Sequence, residues 1–187
     1  MITLEQLAAA LYGVWLLLKL DVRALDYFEK TPGGFARSFL PAAVLLPLDV
    51  VHSILVYDPT QTKLALGPYL VVQVLAYVIS CVAFPFVMLY VTQLLNRAPR
   101  FLTYMVPYNW FQLPVNIVLL SMDLLVDVGW ISSQLFGFIY LFTLTVYFAF
   151  GTFVARIGLV IGIMSAMGIV ILDFLLGLIT NQLITRI

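Results

Sequence analysis

The stretch FARSFLPAAVLLPLDVVHSILVY, residues 35–57, decides the fold class. It is apolar over a length sufficient to cross a bilayer, whose hydrocarbon core needs about 20 residues of helix. Asp49 interrupts it, with His52 three residues on. A charged side chain at the bilayer centre costs at least ~2.5–3.5 kcal/mol, so Asp49 requires a partner, a proton or a water-filled neighbour.

The rest of the composition agrees with that segment. The chain of 187 residues is 64% hydrophobic and 10% charged, with a mean hydropathy of +1.11. That is well above the roughly 45–50% apolar usage of water-soluble domains. Nine basic and nine acidic residues leave no net field directed at nucleic acid or an acidic substrate. Cys81 is the only cysteine, so neither an internal disulfide nor a cysteine-based zinc site can be assembled, and no cofactor is expected. There is one histidine and no phosphate-binding glycine loop, Gly33-Gly34 reading as a turn. Asp49 and Asp173 are a formal pair for an intramembrane aspartic protease, but neither lies in a recognisable motif. The expected protein is not an enzyme.

Moving outward from residues 35–57, four further apolar segments reach spanning length, at 66–90, 101–122, 130–151 and 157–180. Polar connections separate the first four, and the boundary at 152–156 is the weakest. Upstream, Leu4, Leu7, Ala8, Leu11, Trp15 and Leu18 recur at three- and four-residue spacing, with Thr3 placed to cap a helix. No basic n-region precedes this run and no cleavage site follows it, so Met1 is expected to begin the mature protein. The run is too short to span and reads as an interfacial helix, with Tyr12 and Trp15 at headgroup level and Lys19 and Arg23 reaching lipid phosphates. A second amphipathic stretch, 24–30, ends at Thr31-Pro32-Gly33-Gly34, read as a helix breaker. The expected fold is therefore all-α: an interfacial amphipathic segment over 1–34, then a five-helix transmembrane bundle over 35–187.

A cytoplasmic amino terminus puts Lys19, Arg23, Lys30, Arg37, Arg97, Arg100 and Arg156 on one side, against Lys63 and Arg186 on the other. The positive-inside rule then predicts amino terminus in and carboxyl terminus out.

That orientation allows depths to be compared. At about 1.5 Å per residue, Asp49 and His52 lie about 21 and 26 Å from the inner start of their span, and Asn116 and Asp173 each about 23 Å up theirs. Gln73 and Gln134 lie about 10 and 6 Å below the outer surface by the same rise. Every span thus carries a polar group into the outer half. Asp49, His52 and Ser53 share one face. Asn109, Gln112 and Asn116 form a stripe framed by Pro107 and Pro114, each of which frees a carbonyl one turn earlier. Such residues serve either as interhelical glue, at about 0.6 kcal/mol each, or as a proton, solute or ligand site. In the last span Gly158, Gly162 and Ala166 repeat every four residues, with Ser165 and Gly168 nearby, a pattern that admits a close partner helix from the same chain, a second copy or another membrane protein. Tyr69, Tyr90, Tyr104, Tyr108, Trp110 and Trp130 are expected to form the aromatic belts.

The stretch from Leu20-Asp21-Val22-Arg23 through Leu25-Asp26-Tyr27-Phe28, followed by Gly34-Phe35-Ala36-Arg37-Ser38-Phe39-Leu40-Pro41-Ala42, resembles the region of the Yip-domain superfamily where an interfacial helix leads into the first of five spans. The resemblance extends over nearly the whole chain. It implies a bacterial inner-membrane protein with a membrane-organising or accessory role, its eukaryotic members being implicated in trafficking and small-GTPase binding. Asp49, His52 and Asp173 match no motif of that family, so no site carries over. The first expectation for function is a non-enzymatic scaffold. The alternative is a small transporter or proton-coupled permease built on the polar layer around Asp49 and His52.

Overall fold

In the computed structural model, which describes residues 3–184, the chain is helical throughout and contains no strand among the described residues. Met1 and Arg186 lie outside them. Five helical segments are long and apolar enough to cross a membrane, making this a multi-pass membrane protein.

The chain begins with α1, Leu4–Leu17. Thr3 caps it as the sequence predicts: its Oγ1 accepts from Gln6 N at 3.2 Å, while Gln6 Oε1 accepts from Thr3 N at 3.0 Å. The leucine stripe read from the sequence packs only in part, through the half-buried Leu7 and Leu18. Leu4, Leu11 and Trp15 are exposed, whereas Ala10, Gly13, Val14 and Leu17 are buried. The helix is apolar on both faces because one meets the bundle and the other is left outside it.

A 3₁₀ turn, Val22–Tyr27, leads to α2, Pro32–Arg37. Here the expectation of a helix breaker is corrected. Thr31 Oγ1 accepts from Gly34 N at 3.0 Å and Pro32 occupies the first turn, where its missing N–H costs nothing, so Thr-Pro-Gly-Gly opens a helix. Gly34 is required by proximity: a Cβ there would lie 1.8 Å from the Glu29 carbonyl oxygen.

After a break at Ser38 and Phe39, α3 (Leu40–Leu55) completes the first span, and α4 (Leu66–Leu94) returns. A short 3₁₀ turn, Ala98–Arg100, starts α5 (Phe101–Asp127), which is followed by α6 (Ser133–Leu159) and α7 (Ile163–Ile184). The weakest expected boundary moves: α6 runs through 152–156 and stops at Val160, whose φ of 53° is left-handed. A β-branched residue in that conformation gives no stop signal in sequence.

The shift has two consequences. Gly158 belongs to the end of α6, where a Cβ would lie 2.9 Å from Tyr104 Cα of α5, while Gly162 sits in the connection with nothing within 4 Å. Only Ala166, fully buried, packs from α7. The four-residue repeat is therefore divided between two helices and a turn, and does not form one packing stripe.

Helix α5 is the axis of the bundle, touching α1, α2, α3, α4 and α6, while α7 packs on α6 and α4. The end carrying α1 is the solid one. Leu17, Met88, Tyr104, Met105, Phe111 and Leu159 are buried there in one apolar cluster. Tyr104, Tyr108 and Trp110, expected in a belt, are core residues, whereas Tyr90 and Trp130 are exposed as a belt requires.

A network of hydrogen bonds ties α1 and α2 together at that end. Glu29 accepts from Gln6 Nε2 at 3.2 Å, from Thr31 Oγ1 at 2.9 Å and from Arg37. The Arg37 guanidinium, with Thr31 second, holds the Glu29 carboxyl below its ordinary pKa.

Candidate functional site in the bundle

Toward the other end, α3, α4, α5 and α7 separate around a cavity of about 520 Å³. Its α5 wall runs from Tyr108 to Asp123, about 22 Å at the helical rise. The polar residues therefore line a long slot and do not form a thin layer at one depth.

Of the residues singled out from sequence, Asp49, His52, Asn109, Gln112, Asn116 and Asp173 line this slot. Gln73 and Gln134 do not. Gln134 is the second residue of α6 and exposed, and α4 contributes Tyr77, Ser80 and Cys81 in place of Gln73. A helix presents a new face every 100°, so residues at a matching depth need not point to the same place.

Each polar group has a distinct local role. Asn109 is structural: its Nδ2 donates to Ser38 Oγ at 2.8 Å, and that hydroxyl donates to Phe35 O at 2.7 Å, tying α5 to the break between α2 and α3. Asn116 Nδ2 donates back to Gln112 O at 2.8 Å along its own helix.

His52 is oriented by Asp127. Its Nδ1 lies 2.8 Å from Asp127 Oδ2, linking the far ends of α3 and α5. A carboxylate only accepts, so Nδ1 carries the proton and, in the neutral ring, Nε2 is an acceptor. Asp49 shares a face with His52 one turn away, but the carboxylate that the ring meets comes from another helix. Asp49 itself lines the slot and makes no hydrogen bond among the described residues.

Asp173 is clamped. Tyr108 Oη donates to its Oδ2 at 2.5 Å, and Tyr147 Oη donates to the same oxygen. Because α7 starts at Ile163 and not at 157, Asp173 lies about 15 Å along its helix. It is in mid-span and does not reach toward the far surface. It also borders a second cavity of about 330 Å³ between α5, α6 and α7, so the clamp stands where the two meet. Sequence reasoning missed Tyr108 and Tyr147 as its partners. The only signal was that both tyrosines lie well inside spans, where an unpartnered hydroxyl is costly.

The chemistry on offer is binding. Carboxylates, amides and an imidazole converge on a slot floored by the aromatic pair Phe84 and Tyr108, whose ring centroids are 4.7 Å apart. Among the described residues no three His, Cys, Asp or Glu side chains gather at a metal-sized point. No family model, curated protein or solved structure matches this chain.

Proposed function

We propose that this chain takes a small solute into its intramembrane slot, as a carrier or permease subunit. The observation that carries this reading is the cavity of about 520 Å³ in which the Asp49 carboxylate has no hydrogen bond among the described residues. Small-molecule sites measure about 300–1,000 Å³ and combine apolar walls with a few converging polar groups. A group that existed only to join helices would be bonded across them, as Asn109 is to Ser38. His52 adds an imidazole to the slot lining, a side chain able to take up and release a proton and so suited to proton coupling.

The second reading is a membrane-organising scaffold of the kind implied by the resemblance to the Yip-domain superfamily. One observation favours it: α1 leaves Leu11, Tyr12 and Trp15 exposed, with Lys19 Nζ 4.6 Å from the centre of the Trp15 ring, a surface suited to lipid headgroups. A second copy or partner protein would use Gly162 and Gly168, where an added Cβ would meet nothing within 4 Å among the described residues. Both readings take the bacterial inner membrane from the resemblance to the Yip-domain superfamily, and the cytoplasmic amino terminus from the positive-inside rule.

Thiol accessibility separates them. Cys81 lines the slot already, and Asn116→Cys in a Cys81→Ser background gives a second position. A membrane-impermeant thiol reagent added from outside is expected to label both. If neither is labelled until the protein is denatured, the slot is dry and the scaffold reading replaces the solute site.

A further inference from the structure

We propose that the occupant of the slot is an organic cation, an ammonium or guanidinium compound whose charge sits between Asp49 and Asp123 and whose body lies on the Phe84–Tyr108 wall. The inference rests on the solute-binding reading and assigns its substrate class.

Asp49, Asp123 and Asp173 line the slot, and among the described residues no lysine or arginine does. His52, the one basic side chain there, is directed by Nδ1 to Asp127. Asp173 is answered by two tyrosines, but Asp49 and Asp123 accept no hydrogen bond among the described residues.

The donors point the same way. Tyr77 Oη donates to Ala42 O at 2.7 Å, Ser80 Oγ to Ala76 O at 2.9 Å, Ser38 Oγ to Phe35 O and Tyr108 Oη to Asp173. Every hydroxyl named is committed to a protein acceptor. Pro85, also in the wall, removes the N–H that would otherwise reach the Cys81 carbonyl, adding another acceptor. The amides of Asn109, Asn116 and Gln112 keep hydrogens in reserve, but none of them donates to Asp49 or Asp123 among the described residues. A slot rich in free acceptors, with its hydroxyl donors used, selects a ligand that donates and carries positive charge.

Size and surface narrow the class. The slot holds far more than a bare ion, and no metal-sized cluster exists among the described residues. Phe84 and Tyr108 are both among the residues lining this space, and cations bind aromatic side chains most strongly when desolvated. An anion would meet three carboxylates with His52, already directed to Asp127, as the one basic side chain among the described lining residues, and a neutral solute without donors would leave Asp49 and Asp123 with no hydrogen-bond partner.

The test uses the full chain reconstituted in lipid nanodiscs. Binding of benzyltrimethylammonium is compared with its uncharged isostere neopentylbenzene and with benzenesulfonate, and a series from tetramethyl- to tetrabutylammonium probes size. The ammonium is expected to bind about tenfold or more tightly than the isostere, to slow thiol labelling of Cys81, and to lose at least that factor in Asp49→Asn. The isostere comparison and Cys81 protection need no variant, so misfolding of Asp49→Asn would not obscure the answer. Equal or tighter binding of the isostere or the sulfonate overturns the cation assignment and leaves the solute site standing. Absence of saturable binding across the ammonium series, with Cys81 still labelled from outside, also overturns the assignment alone. Absence of both binding and labelling overturns it together with the solute site.

Discussion

The two halves of α5 behave as parts of different proteins. From Tyr104 to Phe111 every residue is buried, while beyond Val115 none is. The first half is surrounded by α1, α2 and α6 and fills its space with aromatic and aliphatic side chains. The second half faces the slot, and its polar groups bond locally or wait for a partner. One end of the bundle is a scaffold that fixes helix positions, and the other is held open by it.

The largest break in that contrast comes from adding one carbon at each end. Gly34→Ala forces a methyl group into the Glu29 carbonyl, so the α1–α2 connection must move. A loss of about 3 kcal/mol, the upper range for overpacking, or failure to assemble is expected in denaturant titration in detergent. Gly177→Ala, on α7 beside the slot, meets nothing within 4 Å. It is expected to be neutral or to stabilise by up to about 1 kcal/mol through helix propensity. Equal losses at both positions would mean that the far half is as tightly packed as the near one.

A smaller effect is expected where the halves meet. Tyr147→Phe removes one of the two donors on Asp173, at a cost of about 1–2 kcal/mol. That cost should shrink when the same change is made in an Asp173→Leu background, because the hydroxyl then has no carboxylate to serve. An unchanged cost in that double-mutant cycle would show that the tyrosine contributes by packing alone.

The smallest effect concerns the α1 end and pH. Arg37 and Thr31 lower the pKa of Glu29 in the folded state, so its contribution to stability is present above the unfolded-state value of about 4.3 and disappears as pH falls through the lower folded-state value. The difference in melting temperature between the wild type and Glu29→Gln should be constant above about pH 5 and narrow in more acid solution. A difference that stays constant down to pH 3 would detach the Arg37 pair from stability.

Some features of the molecule were legible because they depend only on local chemistry. The five spans follow from hydrophobic length, and the α1 cap from Thr3 and Gln6 being three residues apart. Others were misread where two local signals compete. Thr31-Pro32-Gly33-Gly34 has the composition of a turn, but its threonine and proline stand in the order that starts a helix. The end of α6 rests on a left-handed Val160, which composition does not announce, and that displacement carried Gly158 and Gly162 out of the last span.

By itself, the sequence determined that this protein lives in lipid as a helical bundle and that Asp49, His52 and Asp173 lie within its spans, because apolar length and charge depth are properties of one segment at a time. Only the tertiary structure decided which carboxylate each neighbour meets. Asp127 takes His52, two tyrosines take Asp173, and Asp49 is left facing the slot. Those pairings depend on the rotation of each helix about its axis and on where α7 begins, and both are fixed by packing between distant segments.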